Sequence, residues 1–162
     1  NMAVEIHKSS ATQIVLTSSQ AILKGNDVAR ALACYMQSKT IEVAVIDFSS
    51  NAKKLNIDDD RLFLDTFVVT ESTDHVSVLR PNGHLPAMEL LSQKDFWQKI
   101  QLLNSTFDLV FLCADDGDAV GLLSALEGQK MFHITIARIK KTKSTTLMQM
   151  NSLLPIQGLL HD

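Results

Sequence analysis

The chain has 162 residues and a mass of 17.9 kDa, which suits one domain with its own core and no need of disulfides or a structural metal. Hydrophobic residues make up 46% and charged residues 20%, with a net charge of -3 and a pI near 5.9, a balance that implies no polyanion partner. The longest apolar runs, such as Leu109 to Leu112, fall far short of a bilayer span, so the chain reads as soluble.

No repeat, low-complexity tract or Pro/Gly/Ser linker divides the sequence, and residues 1–162 read as a single domain. Asn1 before Met2 reads as a tag remnant, with residues 1–11 as a lead-in and room for a longer natural chain upstream.

Gln13 to Thr17 (QIVLT) is a β-branched run opening into polar Ser18, Ser19 and Gln20, as a buried strand running into a loop would. Asp27 offers an N-cap for a helix in which Val28, Ala31, Leu32 and Tyr35 recur at helical spacing. Glu42 to Phe48 (EVAVIDF) reads as a second strand with an acid at its carboxyl end. The polar stretch from Ser49 to Arg61 reads as an exposed loop or short turn, and Leu62 to Thr70 and His75 to Leu79 as weaker strands. Pro81, Asn82, Gly83 and Pro86 mark a turn. Helical spacing follows in Ala87, Leu90 and Leu91, then in Phe96, Ile100 and Leu103 after a cap at Ser92.

Phe107 to Cys113 (FDLVFLC) is the clearest central strand, followed by Asp115, Asp116, Gly117 and Asp118 as a loop. Ala119 to Glu127 reads as a helix closed by Gly128, Met131 to Ile139 as a strand, Lys143 to Leu154 as a helix and Ile156 to Leu160 as a short last strand. This alternation predicts an α/β fold, with a mostly parallel sheet covered on both faces and any ligand at the carboxyl ends of the strands.

Cys34 and Cys113 fall in a helix and a central strand with no metal-type spacing, and read as buried inert thiols. His7, His75, His84, His133 and His161 are scattered without ligand spacing, and read as surface or singly hydrogen-bonded histidines. Ser18 and Ser19 lack the His/Asp context of a nucleophile.

From about Thr12 to Leu160 the sequence resembles the cytoplasmic P-loop ATPase domain of bacterial polysaccharide co-polymerases and their tyrosine kinases, relatives of the MinD and ParA ATPases. The resemblance rests on Ile14 to Ala33 (IVLTSSQAILKGNDVARALA), Val43 to Ser49 (VAVIDFS), His75 to Asp108, and the tail in which Arg138 to Lys143 precedes a helix and the strand Ile156 to Leu160. It implies a three-layer P-loop NTPase-like fold with helices on both faces of the sheet.

A phosphate loop needs glycines that let backbone N–H groups curl around phosphate, a lysine for the β/γ-phosphates and a Ser/Thr hydroxyl for Mg²⁺. Against the family pattern this loop is vestigial: Gln20, Lys24, Gly25 and Asn26 cover it without Gly-Lys-Ser/Thr, and Asp27 stands where a threonine is expected. Ile22 opposes the positive φ such a loop requires, and the Asp27 carboxylate would repel a triphosphate. A shifted register that makes Lys24 the phosphate ligand is the alternative. The first acidic motif keeps Asp47 but has Ser49 as its second member, and the second acidic motif falls on Cys113, with Asp115 and Asp116 as the nearest substitutes. Tyr35 is the only tyrosine, so the tyrosine-rich tail of the active kinases has no counterpart in residues 160–162.

The expectation is therefore a non-catalytic module, or pseudo-ATPase, with no cofactor. The resemblance implies a cytoplasmic location at the inner face of the bacterial plasma membrane. It also implies a membrane-spanning polysaccharide export or chain-length protein as partner, in cis or in trans, with homo-oligomerisation as an option and no nucleic acid. Arg138, Lys140, Lys141 and Lys143 form the candidate interaction patch, against the plainer reading of a solvated basic turn. The rival expectation is a divergent ATPase or tyrosine kinase that binds ATP and Mg²⁺ through Lys24 and Asp47, with Asp115 or Asp116 replacing the lost acid.

Overall fold

The computed structural model describes residues 2, 6, 11–18, 41–48, 62–63, 66–73, 75–83, 87–137 and 142–161. Its centre is an eight-stranded sheet of order β3-β4-β5-β2-β6-β1-β7-β8. The strands are β1 Gln13–Ser18, β2 Val43–Asp47, β3 Leu62–Phe63, β4 Phe67–Thr73, β5 Val76–Pro81, β6 Leu109–Asp115, β7 Phe132–Ala137 and β8 Gly158–His161. The pairings from β5 through to β8 are all parallel, and antiparallel pairing is confined to β3-β4 and β4-β5 at one edge. The mostly parallel α/β sheet expected from the sequence is therefore present.

Central strands read as continuous apolar runs because both of their faces are covered. Val15, Ala44, Ile46, Val110 and Leu112 point into one core, whereas Ile14, Leu16, Val43, Val45 and Phe111 point into the other. The described helices are α1 Ala87–Ser92, α2 Lys94–Thr106, α3 Asp116–Ala125 and α4 Ser144–Leu153. They send Leu90, Leu91, Phe96, Ile100, Leu103, Leu122, Leu123 and Met150 into the first core. The helical residues Met2 and Ile6 pack on the second. Among the described residues, no helix is long and apolar enough to cross a membrane.

The expected strand Leu62 to Thr70 is two antiparallel strands, broken between Phe63 and Phe67, and β4 runs on to Thr73. The sequence pattern blurred here because the β4-β5 register shifts between Val69 and Glu71, while the Thr70 hydroxyl bonds the Val78 carbonyl at 3.2 Å. His75 is not the first strand residue but sits in the preceding turn at φ 65°, a conformation histidine adopts more readily than most residues.

Ser92 does not cap α2. It ends α1, its hydroxyl donating to the Glu89 carbonyl at 2.7 Å, and Gln93 occupies the N-cap without a side-chain bond. The expected loop from Asp115 to Asp118 is also absent. Strand β6 continues through Asp115 and α3 begins at Asp116. Gly128, at φ 83°, closes the turn after α3 as expected.

Candidate functional site at the carboxyl edge of the sheet

The carboxyl ends of β1, β2 and β6 meet at the centre of the sheet, where a doubly wound fold binds its ligands. Two parallel registers line the edge up: Asp47 of β2 lies opposite Cys113 of β6, and Leu16 of β1 lies opposite Cys113 from the other side. One level higher, Ser18 ends β1 opposite Asp115. The Phe48 N–H, just beyond β2, donates to the Cys113 carbonyl at 2.8 Å and fixes this level.

Of the acids singled out in the sequence, Asp47 ends β2 and is only 6% exposed. Cys113 is 1% exposed and belongs to the second core with Leu16, Val45 and Ile136. The inert thiol expected there is buried as anticipated. A thiol closed off in this way offers no hard oxygen to Mg²⁺, whose shell is octahedral and built from oxygens, so this position does not fit the metal. No group of three or more His, Cys, Asp or Glu side chains able to hold a metal occurs among the described residues. Asp115 and Asp116 stand at the junction of β6 and α3, in register with the end of β1.

Gln20, Lys24, Gly25, Asn26 and Asp27 lie outside the described residues, as do Cys34, Arg138, Lys140 and Lys141. Lys143 is described: it is exposed and sits at the N-cap position of α4 without a side-chain cap bond.

Among the histidines, His75 matches the expectation of an exposed residue, with its Nδ1 2.6 Å from the Glu42 carboxylate. His133 does not. Its side chain is fully buried, Nε2 lies 2.8 Å from the Thr17 hydroxyl and 3.1 Å from that of Thr135, and Nδ1 lies 2.8 Å from the Leu154 carbonyl. Sequence reading missed this cluster. The available signal was a histidine and two threonines inside strands that are otherwise aliphatic, since a polar group in such a run needs a buried partner.

In its α/β, P-loop-like fold the chain is similar to solved bacterial tyrosine kinase domains. Structures it is similar to include the BceF tyrosine kinase domain (TM-score 0.74, 15% identity, covering 99% of this chain and 72% of the other), the kinase domain of Escherichia coli tyrosine kinase ETK (0.71, 13%, 99% and 71%) and the VpsO kinase domain (0.71, 15%, 99% and 93%). At these identities the likeness is one of fold. No family model matches the sequence, and no curated protein matches it either.

Proposed function

We propose that this chain is a kinase-fold module that acts through protein contacts in bacterial exopolysaccharide biosynthesis, export or chain-length regulation, without hydrolysing ATP or transferring phosphate. The observation that carries the reading is the buried thiol of Cys113, two residues before the carboxyl end of the central strand β6. In the family the sequence resembles, that position bears the second acidic motif. The sequence adds a second support: Lys24, Gly25 and Asn26 stand in place of Gly-Lys-Ser/Thr, and Asp27 in place of the following threonine. Catalysis of phosphoryl transfer is almost entirely positioning and charge stabilisation, so losing the groups that do both removes the reaction.

The proposed location is the cytoplasmic face of the membrane, and the proposed partner a membrane-spanning export or chain-length protein, in cis or in trans. The basic segment 138–143, with exposed Lys143, is the contact we assign to it. One placement favours the rival reading: Asp115 ends β6 in register with Ser18, two residues beyond Cys113, at the same edge as Asp47. A divergent ATPase would use Asp115 there and reach the phosphates with Lys24.

Phosphate release from Mg-ATP, measured on the chain and on Lys24→Ala in parallel, separates the two. Removing one preorganised electrostatic group costs about 10²- to 10³-fold in rate, so several absent together leave both proteins at background. Turnover that disappears in Lys24→Ala would establish the enzyme.

A further inference from the structure

The turn after β5 has no part in the function proposed above. β5 runs parallel to β2, so its end at Pro81 lies on the same carboxyl edge as Asp47, and Asn82 and Gly83 follow it directly. The backbone here is anchored: the Asn82 N–H donates to the carbonyl of Thr66, just ahead of β4, at 2.8 Å.

Asn82–Gly83 is the only Asn-Gly pair in the sequence. Asparagine amides are among the chemically labile side chains, and the residue that follows decides how readily they react. Both residues of this pair are exposed, and neither the Asn82 side chain nor the Gly83 N–H has a hydrogen-bond partner among the described residues. Gly83 has φ 129°, a conformation suited to a residue without a Cβ, and the space where a Cβ would stand is open. No side chain on Gly83 screens its backbone nitrogen from the Asn82 amide.

The other described asparagines are held differently. Asn104 and Asn151 are each followed by serine inside a helix, α2 and α4, where the next N–H is committed to the backbone ladder. Asn104 Nδ2 donates to the Thr12 carbonyl at 3.2 Å and its Oδ1 accepts from Gln13 Nε2 at 2.9 Å, while Asn151 Oδ1 accepts the Ile156 N–H at 2.9 Å. Gln157 also precedes a glycine, but its extra methylene demands a larger ring, and Gly158 is buried.

We infer that Asn82–Gly83 is a self-modifying site, at which Asn82 converts to aspartate and isoaspartate with water as the co-reactant. The Gly83 nitrogen loses its proton and attacks the side-chain carbonyl carbon of Asn82, closing a succinimide ring. The bond from that carbon to the side-chain nitrogen breaks, and the nitrogen leaves with the proton as ammonia. Water then adds to one ring carbonyl and breaks its bond to the Gly83 nitrogen. Opening at the side-chain carbonyl gives aspartate, and opening at the main-chain carbonyl gives isoaspartate; nothing is oxidised or reduced. Either product adds one negative charge to the net -3, on the strand that neighbours β2 at the carboxyl edge. The isoaspartate form also routes the main chain through the Asn82 Cβ, one carbon longer, directly after the bond to Thr66.

The folded chain, Asn82→Gln and a free peptide of residues 79–85 are incubated in mildly alkaline and mildly acidic buffer, then analysed by ion exchange. Digestion at acidic pH, peptide masses and isoaspartate detection locate the products. In the unsubstituted chain the Asn82 peptide should lose its amide, faster in the alkaline buffer because attack needs the deprotonated nitrogen. An acidic species should grow in step with that loss and be missing in Asn82→Gln, while Asn104, Asn151 and Gln157 keep their amides. An Asn82 amide that persists in the folded chain while the free peptide loses its own overturns the proposal, since the turn then protects the pair. Equal loss at Asn82, Asn104 and Asn151 rejects it as well, because the turn then confers no selectivity.

Discussion

A hydroxyl facing an imidazole inside a sheet contributes mainly through what its loss leaves behind. Thr17→Val keeps the shape of the side chain and removes the short donor to His133 Nε2, a group with no water in reach. The expected cost is about 1–3 kcal/mol, seen as a melting temperature lower by several degrees. The pH dependence has a definite sign. The folded-state pKa of His133 is lowered from 6.5, so between those values the unfolded chain binds more protons and stability rises with pH. The contribution is complete above about pH 6.5 and is lost as pH falls toward the folded value. Urea midpoints from about pH 7.5 to about pH 5 should therefore fall more steeply for the unsubstituted chain than for His133→Gln. At the carboxyl edge, Cys113→Asp should lower the melting temperature without conferring phosphate release. The new carboxylate would enter a site 1% exposed and directly opposite Asp47, where burial and like charge both oppose ionisation.

Helix α2 shows how one element ties the edge hairpin to the sheet. Phe96, Ile100 and Leu103 recur at helical spacing on its buried face, and the Phe96 ring lies 5.5 Å from that of Phe67 and 6.3 Å from that of Phe48. Ile100 is completely buried, so Ile100→Ala should cost about 2–5 kcal/mol through lost burial and a residual cavity, read as a shift in the urea midpoint at unchanged slope. The turn after α3 depends on Gly128 instead, whose φ of 83° suits a residue without a Cβ. Space around it is open, so Gly128→Ala is opposed by backbone strain alone and should cost about 1 kcal/mol.

Across the whole molecule, the parallel core brings β1, β2 and β6 to one edge while the antiparallel strands β3 and β4 finish the sheet on the β5 side. An active kinase-fold domain would place phosphates over that edge; the reading proposed for this chain makes the same edge a relic. Mg-ATP should then leave the melting temperature unchanged, whereas a ligand at a hundred times its dissociation constant adds about 2.7 kcal/mol. A clear upward shift would show that the loop still holds nucleotide, even if no phosphate is released.

The sequence by itself determined where the central strands lie, because a strand buried on both faces must be apolar along its length, and β1, β2, β6 and β7 all announce themselves in that way. It also located Asp47 at the end of its strand, but it closed the central strand at Cys113, whereas β6 runs on to Asp115. It blurred the β3-β4 break and the start of α3, where a bulge and a direct strand-to-helix junction leave no turn residues to mark them. Strand order was decided only in three dimensions: β1 sits between β6 and β7, strands far from it along the chain. The His133 cluster was decided there too, its two hydroxyl contacts to β1 spanning 116 and 118 positions. Local pattern reports how deeply a residue is buried; which polar group it meets there depends on strand register, and register is set by the packing of the whole sheet.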